Sequence, residues 1–130
     1  MDGENFGGGR QKNVLGGVLI PCSVEPMTGF FRDGCCNTDD QDLGSHTVCV
    51  ELSQEFLLFS RSRGNDLMTP MPQFDFPGLS AGQRWCLCAT RWLEAHKEGR
   101  APRVYLRRTH LRAVETVPMA VLRGYALDLS

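Results

Sequence analysis

HTVCVELSQEFLLFSRSRG, residues His46 to Gly64, is the stretch whose reading sets the fold. Its first seven residues alternate. Val48, Val50 and Leu52 share one face, while Thr47, Cys49 and Glu51 share the other, which is the period of a half-buried strand. Ser53 then supplies an N-cap, and the spacing predicts a helix through about Arg63 with Phe56, Phe59 and Ser60 on one side and Gly64 as the C′ stop. A strand running directly into a short amphipathic helix points to an α+β domain.

Downstream, Asn65 to Gly82 reads as a long loop stiffened by Pro70, Pro72 and Pro77; loops of that length in a compact domain are uncommon and often functional. Arg84 to Cys88 alternates around Trp85 and Leu87 as a strand, with a helix from near Thr90 to Glu98 and a stop at Gly99. A single helix beginning at Trp85 is the competing reading. After Pro102, Arg103 to Thr109 alternates as another strand, and Pro118 opens a last helix through Ala126.

Upstream, Asn13 to Ile20 reads as a short strand bulged at Gly16-Gly17. Met27 to Gly34 is a loop pinned by Phe30 or Phe31, with Asp33-Gly34 as its turn. The expected architecture is α+β: a small sheet packed by two or three helices, with two long ordered loops. Residues 1–12 read as a glycine-rich tail, and residues 13–130 as one globular domain.

Of the 130 residues, 42% are hydrophobic and 22% charged, enough apolar material for one core. The formal net charge of -1 gives no general attraction to nucleic acid or anionic lipid. The longest apolar runs span only a few residues, so no membrane segment is expected. The N-terminus lacks the apolar core of a secretory signal, which predicts a cytoplasmic protein. Basic residues gather between Arg84 and Arg112, but no nucleic-acid-binding motif accompanies them, so no nucleic-acid partner is expected.

Six cysteines, Cys22, Cys35, Cys36, Cys49, Cys86 and Cys88, allow several readings. With no export signal, a chain long enough to fold without staples and modest cysteine density, all six are expected to be reduced. Adjacent Cys35 and Cys36 are poorly placed to bridge each other.

The strings NVLG (Asn13 to Gly16), MTGFFRDGCC (Met27 to Cys36), GSHTVCV (Gly44 to Val50), GNDL (Gly64 to Leu67), FPGL (Phe76 to Leu79), RWCLCATRW (Arg84 to Trp92) and Thr109-His110 together resemble a bacterial family catalogued as domain of unknown function 2237. The resemblance runs from about Asn13 to Tyr125 and implies no particular activity. Gln83 stands where the family pattern usually has Asp, and Leu111-Arg112 stand where an acidic residue is usual.

Three kinds of site can be drawn from these residues. The first is a small-molecule pocket between the loops at residues 29–37 and 64–79. Asp33, His46 and Asp66 are its candidate catalytic groups, since an Asp-His pair can run acid-base chemistry, and Arg32, Arg84 and Trp85 are candidates to bind an anionic ligand. No cofactor is expected there. Against this, Asp33 and Asp66 can simply satisfy backbone groups in tight turns. The second is a zinc or reactive-thiol site drawn from Cys35, Cys36, Cys49, Cys86 and Cys88, although the spacing is that of no zinc finger or ribbon. On an unbroken strand His46 and Cys49 point to opposite faces and cannot share an ion, whereas Cys86 and Cys88 on a strand can. Buried cysteines packing as small hydrophobes are the plainer alternative. The third is a non-catalytic interaction module.

Overall fold

The computed structural model describes residues 11–129. A three-stranded antiparallel sheet stands in the order β2-β1-β3, with β1 at His46–Glu51, β2 at Arg84–Cys88 and β3 at Arg103–Val104. The helices are α1 (Gln54–Ser62), α2 (Ala89–Lys97) and a short α3 (Met119–Arg123). This is the small α+β fold expected from the alternation of HTVCVEL and RWCLC.

The two faces of the sheet bury different chemistry. On one face Val48, Val50, Trp85 and Leu87 pack with Phe56, Leu57, Trp92 and Leu122 in the main core. Burying each such side chain stabilises the fold by about 1.5–3 kcal/mol. Ser53 caps α1 by accepting from the Phe56 N–H at 3.1 Å, and the Trp92 indole N–H donates to the Pro102 carbonyl at 3.1 Å, so the largest buried ring leaves no polar atom stranded. On the other face Cys49 and Cys86, directly opposite each other in the β1–β2 register, meet Cys22 and Cys36 from the irregular N-terminal segment.

Those four cysteines form two disulfides, Cys22–Cys49 and Cys36–Cys86, which corrects the expectation of six reduced thiols. Both bridges tie the N-terminal segment to the sheet across 27 and 50 residues of chain, and such pairings are not deducible from sequence spacing. Cys35 and Cys88 remain free thiols.

Two strand expectations are also corrected. The strand foreseen at Arg103 to Thr109 stops at Val104. The Asp128 carboxylate accepts from the Leu106 and Arg107 N–H groups at 2.7 and 2.9 Å and draws the chain into a 3-10 turn at Leu106–Arg108. Asn13 to Ile20 is a turn rather than a strand. The Asn13 side-chain oxygen accepts from Leu15 and Gly17 N–H groups at 2.9 and 3.0 Å, offering the backbone a local partner in place of a ladder. The foreseen tail of residues 1–12 lies outside the described residues except for Gln11 and Lys12, and Lys12 bridges to Val18.

Candidate functional site

β2 is an edge strand, and a cleft of about 480 Å³ opens alongside it. Its walls come from the two loops singled out in the sequence: Gly29, Phe30 and Arg32 on one side, and Asn65 to Leu67 with Met71, Phe74 and Phe76 on the other. Trp85 through Cys88 form the floor with His46, and Arg91 reaches in from α2. The volume suits a small organic molecule, and aromatic walls with a few polar groups are the usual make-up of such sites.

The first wall is held by a glycine that nothing can replace. Gly29 has φ 102°, and a Cβ there would lie 2.3 Å from the Cys35 carbonyl oxygen. The Cys36–Cys86 disulfide anchors the far end of the same loop to β2. The opposite wall is set by Asp66, whose carboxylate accepts from the Thr69 hydroxyl at 2.6 Å and from the Met68 and Thr69 N–H groups at 2.9 and 3.3 Å. The Thr69 and Met68 bonds hold its pKa below the ordinary carboxylate value.

The chemistry gathers where β1 begins. A β-bulge between His46 and Val48 interrupts the alternation, and His46 stands opposite Cys88 across the ladder. The Asp42 carboxylate has no exposed surface, and its Oδ1 lies 2.7 Å from His46 Nδ1. Its Oδ2 accepts from the His46 backbone N–H at 2.9 Å and from the Thr38 hydroxyl at 3.0 Å. A carboxylate only accepts, so Nδ1 donates to Asp42, and in the neutral ring Nε2 is left as the acceptor. Phe30 stacks over the imidazole with ring centroids 6.3 Å apart. On the inner side Gly44 leaves room for no more than hydrogen: a Cβ there would stand 2.9 Å from His46 Cε1 and 3.5 Å from Cys88 Sγ. The imidazole Cε1 and the thiol Sγ therefore border the same small space over Gly44.

Cys88 ends β2 and is also the N-cap position of α2, with its Sγ 3.1 Å from the Thr90 hydroxyl. The first-turn amides of α2 thus begin beside the sulfur, at the positive end of the helix dipole. The second free thiol, Cys35, is in different surroundings: burial, and then the Asp33 charge, push its pKa up.

The residues proposed from sequence separate accordingly. His46, Asp66, Arg32 and Trp85 line the cleft. The Arg32 guanidinium sits over the Trp85 ring, 5.4 Å from its centroid. Asp33 is not among the lining residues. Its carboxylate accepts from the Cys35 N–H at 3.1 Å and the Asn37 amide at 2.7 Å, inside its own loop. Arg84 does not line the cleft either. It sits on the sulfur side of the sheet, its Nε donating to the Cys22 carbonyl at 2.5 Å and its guanidinium 5.8 Å from the Tyr105 ring centroid. Of the cysteines, Cys36, Cys49 and Cys86 belong to the disulfides, and Cys88 is the free thiol that faces the cleft. Asp42 was not singled out in the sequence, although its position four residues before His46 was the available signal. Gln83, in place of the usual Asp, accepts from the Ser80 N–H at 2.9 Å and closes the turn before β2.

Fold and site define a small α+β domain with a thiol and an aspartate-paired imidazole at the floor of an edge-strand cleft. The chain belongs to the family described as uncharacterized proteins conserved in bacteria, domain of unknown function 2237, whose model matches residues 12–126. No curated protein matches it. Among the described residues no helix is long and apolar enough to cross a membrane.

Proposed function

We propose that the cleft binds a small molecule with an apolar body and an anionic group, and that Cys88 attacks an electrophilic acyl carbon on it. The observation that carries this reading is the run Asp42–His46–Cys88. A buried carboxylate fixes the imidazole tautomer, and the thiol lies across the ladder from that ring. These are the parts of nucleophilic catalysis with a general base.

In this reading Nε2 of His46 takes the Cys88 thiol proton as sulfur bonds to the carbonyl carbon. The carbonyl oxygen develops its negative charge toward the first-turn amides of α2 that follow Ala89, whose own N–H is donated to the Ser45 carbonyl at 2.9 Å. The leaving group departs with the proton from His46, giving a thioester on Cys88. Water, activated by the same imidazole, then releases the acid and restores the thiol. Phe30, Phe74, Phe76 and Trp85 offer the apolar wall, and Arg32 offers charge to an anionic substituent, Arg91 being engaged by the Arg63 carbonyl and Glu94 at 3.0 and 3.4 Å. Asp33 and Asp66 take no part, because their oxygens are spent on turns.

The test is intact-protein mass spectrometry after exposure to a panel of activated esters bearing a carboxylate. The expected result is one acyl group on Cys88, absent in Cys88→Ser and slowed in His46→Gln. The companion measurement is iodoacetamide labelling of the two free thiols. Cys88 is expected to react much faster than Cys35, and equal rates would overturn the proposal.

A further inference from the structure

We infer that in the reduced chain Cys22, Cys36, Cys49 and Cys86 form a four-thiolate site for a zinc ion. This site lies on the sulfur face of the sheet, sharing Cys86 with the cleft floor, and stands on different observations. The sulfurs of Cys22, Cys36 and Cys49 all lie within 4.8 Å of one another, and Cys86 is bonded to Cys36. All four residues are at most 2% exposed. Tetrahedral zinc with Zn–S bonds of about 2.3 Å needs sulfurs about 3.8 Å apart; Cys22, Cys36 and Cys49 already stand within reach of that spacing, and Cys86 swings in once its bond to Cys36 opens.

The scaffold suits such a site. Cys49 and Cys86 are supplied by directly paired positions of two adjacent strands. Their backbone N–H groups are held by Thr109 and Thr28 hydroxyls at 3.1 and 2.9 Å. Cys22 and Cys36 come from one loop, closed by the Cys22 N–H donating to the Gly34 carbonyl at 2.7 Å. Four thiolates around a divalent ion carry two net negative charges. The Arg84 and Arg108 guanidiniums lie 5.8 and 5.6 Å from the ring centroid of Tyr105, which packs on the sulfur cluster, and Arg84 also bonds the Cys22 carbonyl. With the Glu51 carboxylate, which accepts from the Tyr105 hydroxyl at 2.7 Å, the two cations leave a net positive boundary that offsets part of the charge zinc leaves.

The conversion balances with a small dithiol as reductant. Each disulfide takes two electrons and two protons from one dithiol, which leaves as its own cyclic disulfide, so two bridges consume two reductant molecules and leave four thiols. Zinc then forms four Zn–S bonds, and four protons pass to solvent. The loop that carries Phe30 and Arg32 stays clipped to β2 in either state, by sulfur–sulfur bonds or through the metal.

The experiment uses the full chain, reduced with a phosphine under argon, freed of reductant and titrated with cobalt(II). The expected result is one equivalent bound, with the intense visible bands of a tetrahedral site and a sulfur-to-cobalt charge-transfer band, both erased by one equivalent of zinc. The Cys35→Ser/Cys88→Ser double variant keeps the signal, and Cys22→Ser loses the four-sulfur spectrum. Should Cys22→Ser fail to fold, the wild type and the double variant still decide. Weak octahedral-type bands, binding well below one equivalent, or loss of signal in the double variant would each overturn the assignment.

Discussion

Cys86 and Cys88 stand two residues apart on β2, and their surroundings differ in every respect that governs a sulfur. Cys86 faces inward, is 2% exposed and is bonded to Cys36 behind the sheet. Cys88 ends the strand at the cleft, is free, and has His46 across the ladder. The difference comes from position along one edge strand. In its middle, alternation directs a side chain into the packed face; at its end, a bulge in β1 and the start of α2 open the same side to solvent. A structural sulfur and a reactive one can thus share a five-residue strand.

If the inward sulfurs act as clips, removing them has the largest effect on stability. Replacing Cys36 and Cys86 together by Ala is expected to cost about 4 kcal/mol, and Cys22 with Cys49 about 3.5 kcal/mol, in urea unfolding under oxidising conditions. Negligible losses in both would mean that the N-terminal segment docks on the sheet without its bridges.

If the cleft sulfur depends on its neighbour, His46→Gln slows Cys88 labelling by about 100-fold at neutral pH. Asp42→Asn follows with a smaller loss, about ten-fold, since the ring remains but its tautomer and orientation are freed. An unchanged rate in both variants would separate Cys88 from the imidazole. Gly44→Ala makes a narrower probe. The new Cβ would crowd His46 Cε1 at 2.9 Å, so labelling of Cys88 should fall while Cys35 labelling and the unfolding midpoint hardly move.

The smallest effect concerns His110, whose backbone N–H donates to the Thr47 carbonyl of β1 at 2.9 Å. Burial, and then the Arg112 charge, lower its pKa, while Glu115 acts in the opposite direction; its Nδ1 accepts the Arg112 N–H at 2.9 Å. The unfolded chain therefore binds this proton more readily. The neutral ring's contribution to stability is full above the ordinary histidine value of about 6.5 and is lost as pH falls from there toward the folded value. His110→Asn keeps a cap for that turn and should flatten this part of the stability profile, as followed by thermal unfolding between pH 5 and pH 8 (roughly the histidine titration range).

Much of the fold was legible because local rules agreed with one another. The alternation of Val48, Val50 and Leu52, the Ser53 cap and the Trp85–Leu87 alternation each predicted an element that forms. The rules failed where a side chain from far along the chain takes the backbone's hydrogen bonds, as Asp128 does after Val104. At the cleft the two loops, Arg32, His46, Asp66 and Trp85 were in view beforehand. Arg84 was misplaced because its alternation partner on β2 is Cys86 rather than Trp85, which turns it to the sulfur side.

Periodicity, capping and punctuation are local properties, written within a few residues, and they sufficed for the α+β class, the positions of the two shaped loops and the family. Which cysteines meet and which side of the sheet faces water depend on segments up to 50 residues apart. The bulge at Thr47 shows why: one extra residue in a strand reverses the facing of every side chain before it, and no local pattern announces it.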